Sequence, residues 1–345
     1  MNTAWQDTLS HLGYTLDDEA KATPQVPYDG TGTAVAPLTQ HRIIEIIGPE
    51  TEKFLQGQLS CDIADVDKLG SRLGAHCNIK GHMISLFRVM KRSLDTFWLR
   101  TRSDNLDKAL PTLKKYILFS KAEADLNDEL VGIGLFGTGA AEIASKLVSK
   151  PPECVDEVSC EGERLLVRVP GVDRFECWLP AAEAATILNE LGDSVQLAGT
   201  DDWLLQEIRA AVPDVCASTS EAFIPQMTNL QAFEGVSFNK GCYTGQEVVT
   251  RLQHRGILKK PMYRVAVSAS ECPEPGQALH TTEKENIGQI VIAAPTGDSG
   301  YEMLAVITKE QAENAELHLA TQDGPVVKLL ELPYTLDPRM FESKR

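Results

Sequence analysis

Lys240-Gly241-Cys242-Tyr243-Thr244-Gly245-Gln246-Glu247 sets one cysteine between a glycine and a tyrosine, two residues after a lysine. Thr244 and Glu247 are three apart and Val248 and Val249 follow, the S/T-x-x-E spacing of a capping box. In such a box the threonine oxygen accepts from the Glu247 backbone N–H and the glutamate reaches back. The spacing predicts a helix to about His254, stopped by Gly256. A thiol beside a helix N-terminus and a lysine is biased toward the thiolate, the form that attacks electrophiles and binds metals. Read alone, Cys242 fits a small buried hydrophobe just as well. Lys240, Arg251, His254, Arg255, Lys259 and Lys260 form a basic cluster. It reads either as an anion pocket, with Lys240 and Arg251 reaching a carboxylate or phosphate, or as a solvated helix face. Trp203, near another helix start, is either core or a platform for a flat heteroaromatic ligand.

Other chemistries lack their residues. No G-x-S-x-G elbow or Walker loop is present, and the seven histidines are scattered. Gly137-Thr138-Gly139 follows an apolar strand, but no third glycine completes a dinucleotide fingerprint. The eight cysteines include no C-x-x-C and no zinc spacing, so reduced thiols and no resident metal are expected. A transient thiolate ligand stays open. A formal charge of −16 argues against binding along a nucleic-acid backbone, though not against a local basic pocket. No apolar run approaches the ~18 residues of a membrane span. The first 25 residues resemble neither a secretion signal nor a transit peptide, so a cytoplasmic protein is expected.

The chain is long enough for two or three domains. Residues 1–40, with a short helix and a Pro/Gly-rich stretch, read as an N-terminal extension. From 42 to 260 strands and helices mix. Strands are expected at 42–47, 74–79, 83–90, 96–101, 131–136, 165–169 and 175–179, and helices at 50–58, 103–116, 180–191 and 200–211. Residues 213–243 are apolar yet aperiodic, a long irregular segment of the kind that carries function. Five short strands after Pro261 predict a small β-barrel or sandwich.

The K-G-C-Y-T-G-Q-E run, preceded by Phe223-Ile224-Pro225-Gln226 and Asn229-Leu230, resembles the YgfZ family of folate-binding proteins. So do Phe54-Leu55-Gln56-Gly57-Gln58-Leu59-Ser60, Cys77-Asn78-Ile79-Lys80-Gly81-His82, the 114–121 run K-K-Y-I-L-F-S-K, and Leu332-Pro333-Tyr334. The resemblance covers nearly everything beyond residue 40. It implies an α+β, T-protein-like three-domain ring around a central folate channel, with residues 41–260 as two interleaved α/β subdomains. A C-terminal β-barrel over 261–335 and a tail over 336–345 would follow.

The resemblance also implies a tetrahydrofolate-binding accessory protein for assembly or repair of iron–sulfur clusters, including those of tRNA-methylthiolating enzymes. Its partners would be folate and iron–sulfur enzymes or cluster-assembly proteins, with no direct nucleic-acid contact. Cys242 would be the reactive thiol, with Lys240 beside it. Trp203, His41, Gln226, Asn229, Tyr243, Gln246, Glu247 and Arg251 would bind folate. The alternative is a folate-dependent one-carbon transferase like the glycine-cleavage T-protein. Placing the Lys80-Gly81 turn on that enzyme's glycine turn puts Ile84 and Ser85 at its acidic positions, which counts against aminomethyl transfer.

Overall fold

The Asn2 side chain accepts from the Trp5 N–H at 3.2 Å and so caps the first helix of an α+β protein. A computed structural model describes residues 2–297 and 299–342. The backbone divides into two units. Met1–Phe54, Ile63–Arg72 and Arg88–Trp203 make the first; Leu55–Asp62, Leu73–Phe87 and Leu204–Arg345 make the second.

In chain order the elements are α1 (Thr3–His11), β1 (Tyr14–Leu16), β2 (Ala22–Pro24), β3 (Thr33–Pro37), β4 (His41–Ile47), α2 (Thr51–Gln58), α3 (Ile63–Leu69), β5 (Ser71–Cys77), β6 (Met83–Lys91), β7 (Thr96–Arg102), α4 (Leu106–Ile117) and β8 (Glu123–Asn127). Then come β9 (Leu130–Gly137), α5 (Ala140–Leu147), β10 (Val158–Glu161), β11 (Arg164–Arg168), β12 (Phe175–Pro180), α6 (Ala181–Leu191), β13 (Gln196–Leu197), α7 (Thr200–Arg209) and α8 (Gln246–Arg255). The last are β14 (Met262–Ser268), β15 (Ala278–His280), β16 (Gly288–Gly297), β17 (Gly300–Ile307), α9 (Lys309–Asn314), β18 (Leu317–Leu319) and β19 (Val326–Leu330).

In the first unit a sheet runs β10-β11-β12-β9-β3-β13. Strand β9 is buried on both faces because its residues alternate. Val131, Ile133 and Leu135 pack with the apolar faces of α1, α5 and α6. Phe136 joins Trp178, Trp203, Met90, Trp98 and Ile43 in a second layer, against strands β4, β6 and β7. Gly132 and Gly134 make room for that layer: a Cβ on Gly134 would lie 2.4 Å from the Trp203 ring, and one on Gly132 would lie 2.7 Å from Trp178. The first forty residues are not an extension. Strand β3 is an inner strand between β9 and β13, and Trp5, Leu9, Tyr14 and Ala22 belong to the core. Thr33-Ala34-Val35-Ala36-Pro37 is short and ends in proline, which hid a strand whose small side chains fit between two packed layers.

Charges are buried in this unit as matched sets. Asp156 receives Arg88 at 2.5 Å on one oxygen and Arg72 at 2.7 Å on the other, and its carbonyl accepts from the Ser71 hydroxyl at 3.0 Å. An isolated ion at this depth would be costly; two guanidinium forks on one carboxylate offset that cost.

In the second unit β14-β17-β16-β15-β18-β19 close into a barrel, as the strand pattern predicts, with β15 as the strand that pattern misses. Val265, Leu279, Ile290, Met303, Ala305 and Val327 are among the residues that fill one core cluster. Val291, Ile292, Leu304 and Val306 belong to a second, with Leu205, Ile208, Leu73 and Phe223. Arg209 of α7 and Arg264 of β14 share Glu302 at 3.0 and 3.2 Å. The tail expected over 336–345 packs in part: Pro338–Phe341 form a 3-10 turn with Met340 buried, and residues 343–345 lie outside the described residues. Among the described residues no helix is long and apolar enough to cross a membrane.

Two stability outcomes follow from these burials. Asp156→Asn leaves Arg88 buried against a neutral partner, and should lower unfolding free energy in urea by about 3–5 kcal/mol. A loss under about 1 kcal/mol would contradict the ion cluster. His76, on β5, is fully buried, and burial pulls its pKa from 6.5 to about 4. The unfolded chain therefore takes the proton first. The contribution is complete above about pH 6.5 and falls as pH drops toward 4, by up to about 3 kcal/mol. His76→Gln should flatten that part of the stability–pH curve; an unchanged slope would refute the assignment.

Candidate functional site

The second unit brings two of the sequence motifs into direct contact. Residues 77–82 form the β5–β6 turn, which Asn78 closes: its side-chain oxygen accepts from the Lys80 and His82 N–H groups at 2.9 and 3.1 Å, and its own N–H donates to the His82 carbonyl at 2.9 Å. Gly81 has φ +77° and Gly245 has φ +82°. A Cβ on Gly245 would lie 2.3 Å from the Asn78 carbonyl oxygen and 3.1 Å from the Gly81 Cα. A Cβ on Gly81 would come within 3.2 Å of the Gly245 carbonyl oxygen. Only glycine at both positions allows this approach.

Gly245, in the left-handed region, is also the N-cap of α8, and no side chain caps that helix. The capping box expected from Thr244 and Glu247 is therefore not formed. Thr244 instead donates its N–H to Gly57 O at 3.3 Å, and Glu247 is exposed. Gln246 takes over part of the task, its side-chain oxygen accepting from the Tyr243 N–H at 3.3 Å. Cys242 is exposed and lies three residues before the N-cap, outside the first helical turn in which a helix dipole acts.

Lys240 does not reach for an anion. Its ammonium donates to Leu59 O at 2.7 Å and Cys61 O at 2.6 Å and lies over the Tyr243 ring, 5.2 Å from its centroid. Burial pulls its pKa from 10.5 to about 8, with Cys61 and Asp62 pulling the other way. The amine thus ties the loop to the residues after α2. Tyr243 turns inward, its hydroxyl buried without a partner, and burial, together with Cys77 and Cys61, raises its pKa. Burial also pushes the Cys77 thiol up to about 12, away from the thiolate, whereas Cys242 is exposed.

Gln226 and Asn229 belong to the irregular 213–243 segment and stitch it to its neighbours. Gln226 donates to Val249 O at 2.6 Å and Asn229 to Met262 O at 2.8 Å, each with its side-chain oxygen buried and unpartnered. Upstream, the Phe223 carbonyl accepts from the Met83 N–H at 2.8 Å, and the Ser220 hydroxyl donates to Ile84 O at 2.9 Å. Ile84 and Ser85 are buried there and bring no carboxylate. Arg251 is exposed on α8, so the basic cluster is a surface and not a pocket.

The two aromatic positions expected against folate are core residues of the first unit. Trp203 is 0% exposed, with the Arg174 guanidinium 4.2 Å from its ring centroid and the Phe136 ring at 6.0 Å. His41 is 2% exposed at the start of β4, where Arg100 donates to its Nε2. Neither ring is open to a stacking ligand. Sequence reasoning passed over Glu176 in the same unit. It is fully buried on β12, accepting from the Trp178 Nε1–H at 3.0 Å with Arg100 Nε 3.7 Å away, while its other oxygen has no partner. Burial opposes its ionisation, but Arg100, Arg88, His41 and the Trp178 donor outweigh that and hold its carboxyl below the usual range. The Gln40 amide is likewise buried, with neither oxygen nor nitrogen partnered. The available signal was a charged residue inside the otherwise apolar Phe175-Glu176-Cys177-Trp178-Leu179.

No protein-family model matches the chain. The tRNA-modifying protein YgfZ of Klebsiella pneumoniae (strain 342) is 34% identical over 324 residues, 91% of this chain and 98% of the relative. That of Pectobacterium atrosepticum is 34% identical over 320 residues, 90% of this chain and 95% of the relative. The glycine cleavage system aminomethyltransferase T from Bartonella henselae superposes with a TM-score of 0.78 over 99% of this chain and 98% of its own, at 17% identity, a likeness of fold. With the α+β architecture and its C-terminal barrel thus shared with aminomethyltransferase T, and with relatives matched almost end to end, the chain belongs to the YgfZ family.

Proposed function

We propose that this protein binds tetrahydrofolate and acts as an accessory factor in assembly or repair of iron–sulfur clusters, including those of tRNA-methylthiolating enzymes. The observation that carries this reading is the fixed display of Cys242. The Gly245–Gly81 contact, the inward Tyr243 and the Lys240 anchor hold the loop, while the thiol stays exposed. Relatives named as tRNA-modifying proteins support a role in tRNA modification. Transfer of an aminomethyl group has little support, because Ile84 and Ser85 occupy the positions where the carboxylate is needed.

The pterin would be held in the first unit, on groups that lack partners there. A pterin edge presents paired N–H donors beside a carbonyl. The free Glu176 oxygen accepts such donors, and the Gln40 amide offers both a donor and an acceptor. Glu176 stays ionised through Arg100 and Arg88, which keeps it an acceptor. Bound tetrahydrofolate would supply a reduced pterin able to carry a one-carbon unit. Trp203 and His41 would support that site from behind, as packing for Arg174 and Arg100. Cys242 would meet the partner enzyme or its sulfur species as an accessible nucleophile.

Cys242→Ala should leave the melting temperature and folate affinity unchanged, yet lower methylthiolated tRNA in cells that depend on this protein. Full complementation by the variant would remove the thiol from the function. For folate, calorimetric titration with tetrahydrofolate should show Glu176→Gln weakened by about tenfold or more, as for loss of a charged hydrogen bond. Gln40→Ala, which changes no charge, should weaken binding less. Unchanged affinity in both variants would place folate elsewhere or nowhere.

A further inference from the structure

We propose that the exposed face of α8, with the Lys259-Lys260 segment after it, is a docking surface for an acidic protein partner, which it brings up to Cys242. The inference rests on the reading of Cys242 as the point of contact. Helix α8 has ten residues and buries only Val249. A helix this short is marginal on its own in water. Gln246, Thr250, Leu252 and Gln253 are half-buried, and Glu247, Val248, Arg251, His254 and Arg255 are exposed.

That circumference is basic. Arg251, His254, Arg255 and Lys259 are exposed and Lys260 is half-buried. Among the described residues none of them forms an ion pair. Glu247 stands one turn before Arg251, at the spacing that favours a pair, yet does not bond it. Several arginines elsewhere are matched: Arg72 and Arg88 to Asp156, Arg164 to Glu183, Arg209 and Arg264 to Glu302. An unmatched basic face on a chain of net charge −16 is a local inversion of sign, which is how a surface selects an anionic partner.

Two features favour protein over nucleic acid. Val248 and Ile257 flank the arginines at 38% and 40% exposure, offering apolar contact within a basic rim. No Phe, Tyr or Trp lies on α8 to stack a base, and the acidic remainder of the chain repels a polyphosphate. The helix rises about 15 Å, so Cys242 and Lys260 fit within one ordinary interface.

The probe is a pair of decapeptides, one Asp/Glu-rich and one Lys-rich, each carrying a pyridyl disulfide. The Cys242 thiolate attacks the peptide sulfur, the mixed disulfide forms, and thiopyridone leaves and is read by absorbance. The other exposed cysteines, Cys154, Cys160 and Cys272, are replaced by serine. The acidic peptide should react about tenfold or more faster at low salt, and the difference should vanish near ~0.5 M salt. Arg251→Glu with Arg255→Glu should reverse the order without lowering the melting temperature. Equal rates for the two peptides, or an acidic preference that survives the double substitution, would overturn the proposal. So would bulk tRNA that blocks the reaction at ~0.15 M salt through the same two arginines, which would make the surface a nucleic-acid site. No folate enters the measurement, so failure of folate binding leaves its outcome intact.

Discussion

The close approach of Gly245 to the Asn78–Gly81 turn is the constraint on which the rest of the second unit's chemistry depends. Two backbones can come this near only when neither carries a side chain, and both glycines also occupy the left-handed region. The contact fixes where α8 begins. It therefore fixes the direction of the three residues before it, with Tyr243 turned into the protein and Cys242 left outside. Lys240 completes the clamp from the other end of the loop, spending two of its three donors on backbone carbonyls. A thiol on a mobile loop would sample many orientations; Cys242 is exposed, but its backbone is held from both sides.

The first unit solves a different problem. Its polar side chains are buried in sets, and each set holds a charge that would be untenable alone. Asp156 is saturated by two arginines, so it is structural. Glu176 is not saturated: one oxygen is engaged and the other is not. A buried acceptor without a donor costs about 1–3 kcal/mol. Both acids are buried beside arginine, but Asp156 engages both oxygens in close ion pairs, whereas Arg100 lies 3.7 Å from the one engaged oxygen of Glu176.

Much of the architecture was legible because it follows local periodicity. The helix over 181–191 and strands such as 130–137 show their patterns plainly, and five of the six barrel strands stand out between turn residues. The misses have tertiary causes. Strand β3 looked like a linker because its small residues gain meaning only between two packed layers. Thr244-x-x-Glu247 satisfies the capping spacing, but Gly245 adopts a conformation that restarts the chain one residue later. Trp203 looked available because its burial is made by Gly134 and Arg174, distant in sequence. Glu176 was visible as a lone charge in a buried strand, yet its partners Arg100 and Trp178 had to be placed before it could be read.

The fold shared with aminomethyltransferase T and the residues that depart from it point the same way. Where that resemblance asks for a carboxylate, β6 supplies Ile84 and Ser85, both buried, with the Ser85 hydroxyl lacking a partner among the described residues. A serine in that environment can neither take a proton from an ammonium nor stabilise one as a carboxylate does. The irregular 213–243 segment bonds directly to this stretch, through Phe223 to Met83 and Ser220 to Ile84, and leads on to the Lys240–Glu247 loop. The same stretch that lacks a carboxylate at Ile84 and Ser85 thus leads, through the irregular segment, to a loop that leaves Cys242 at the surface.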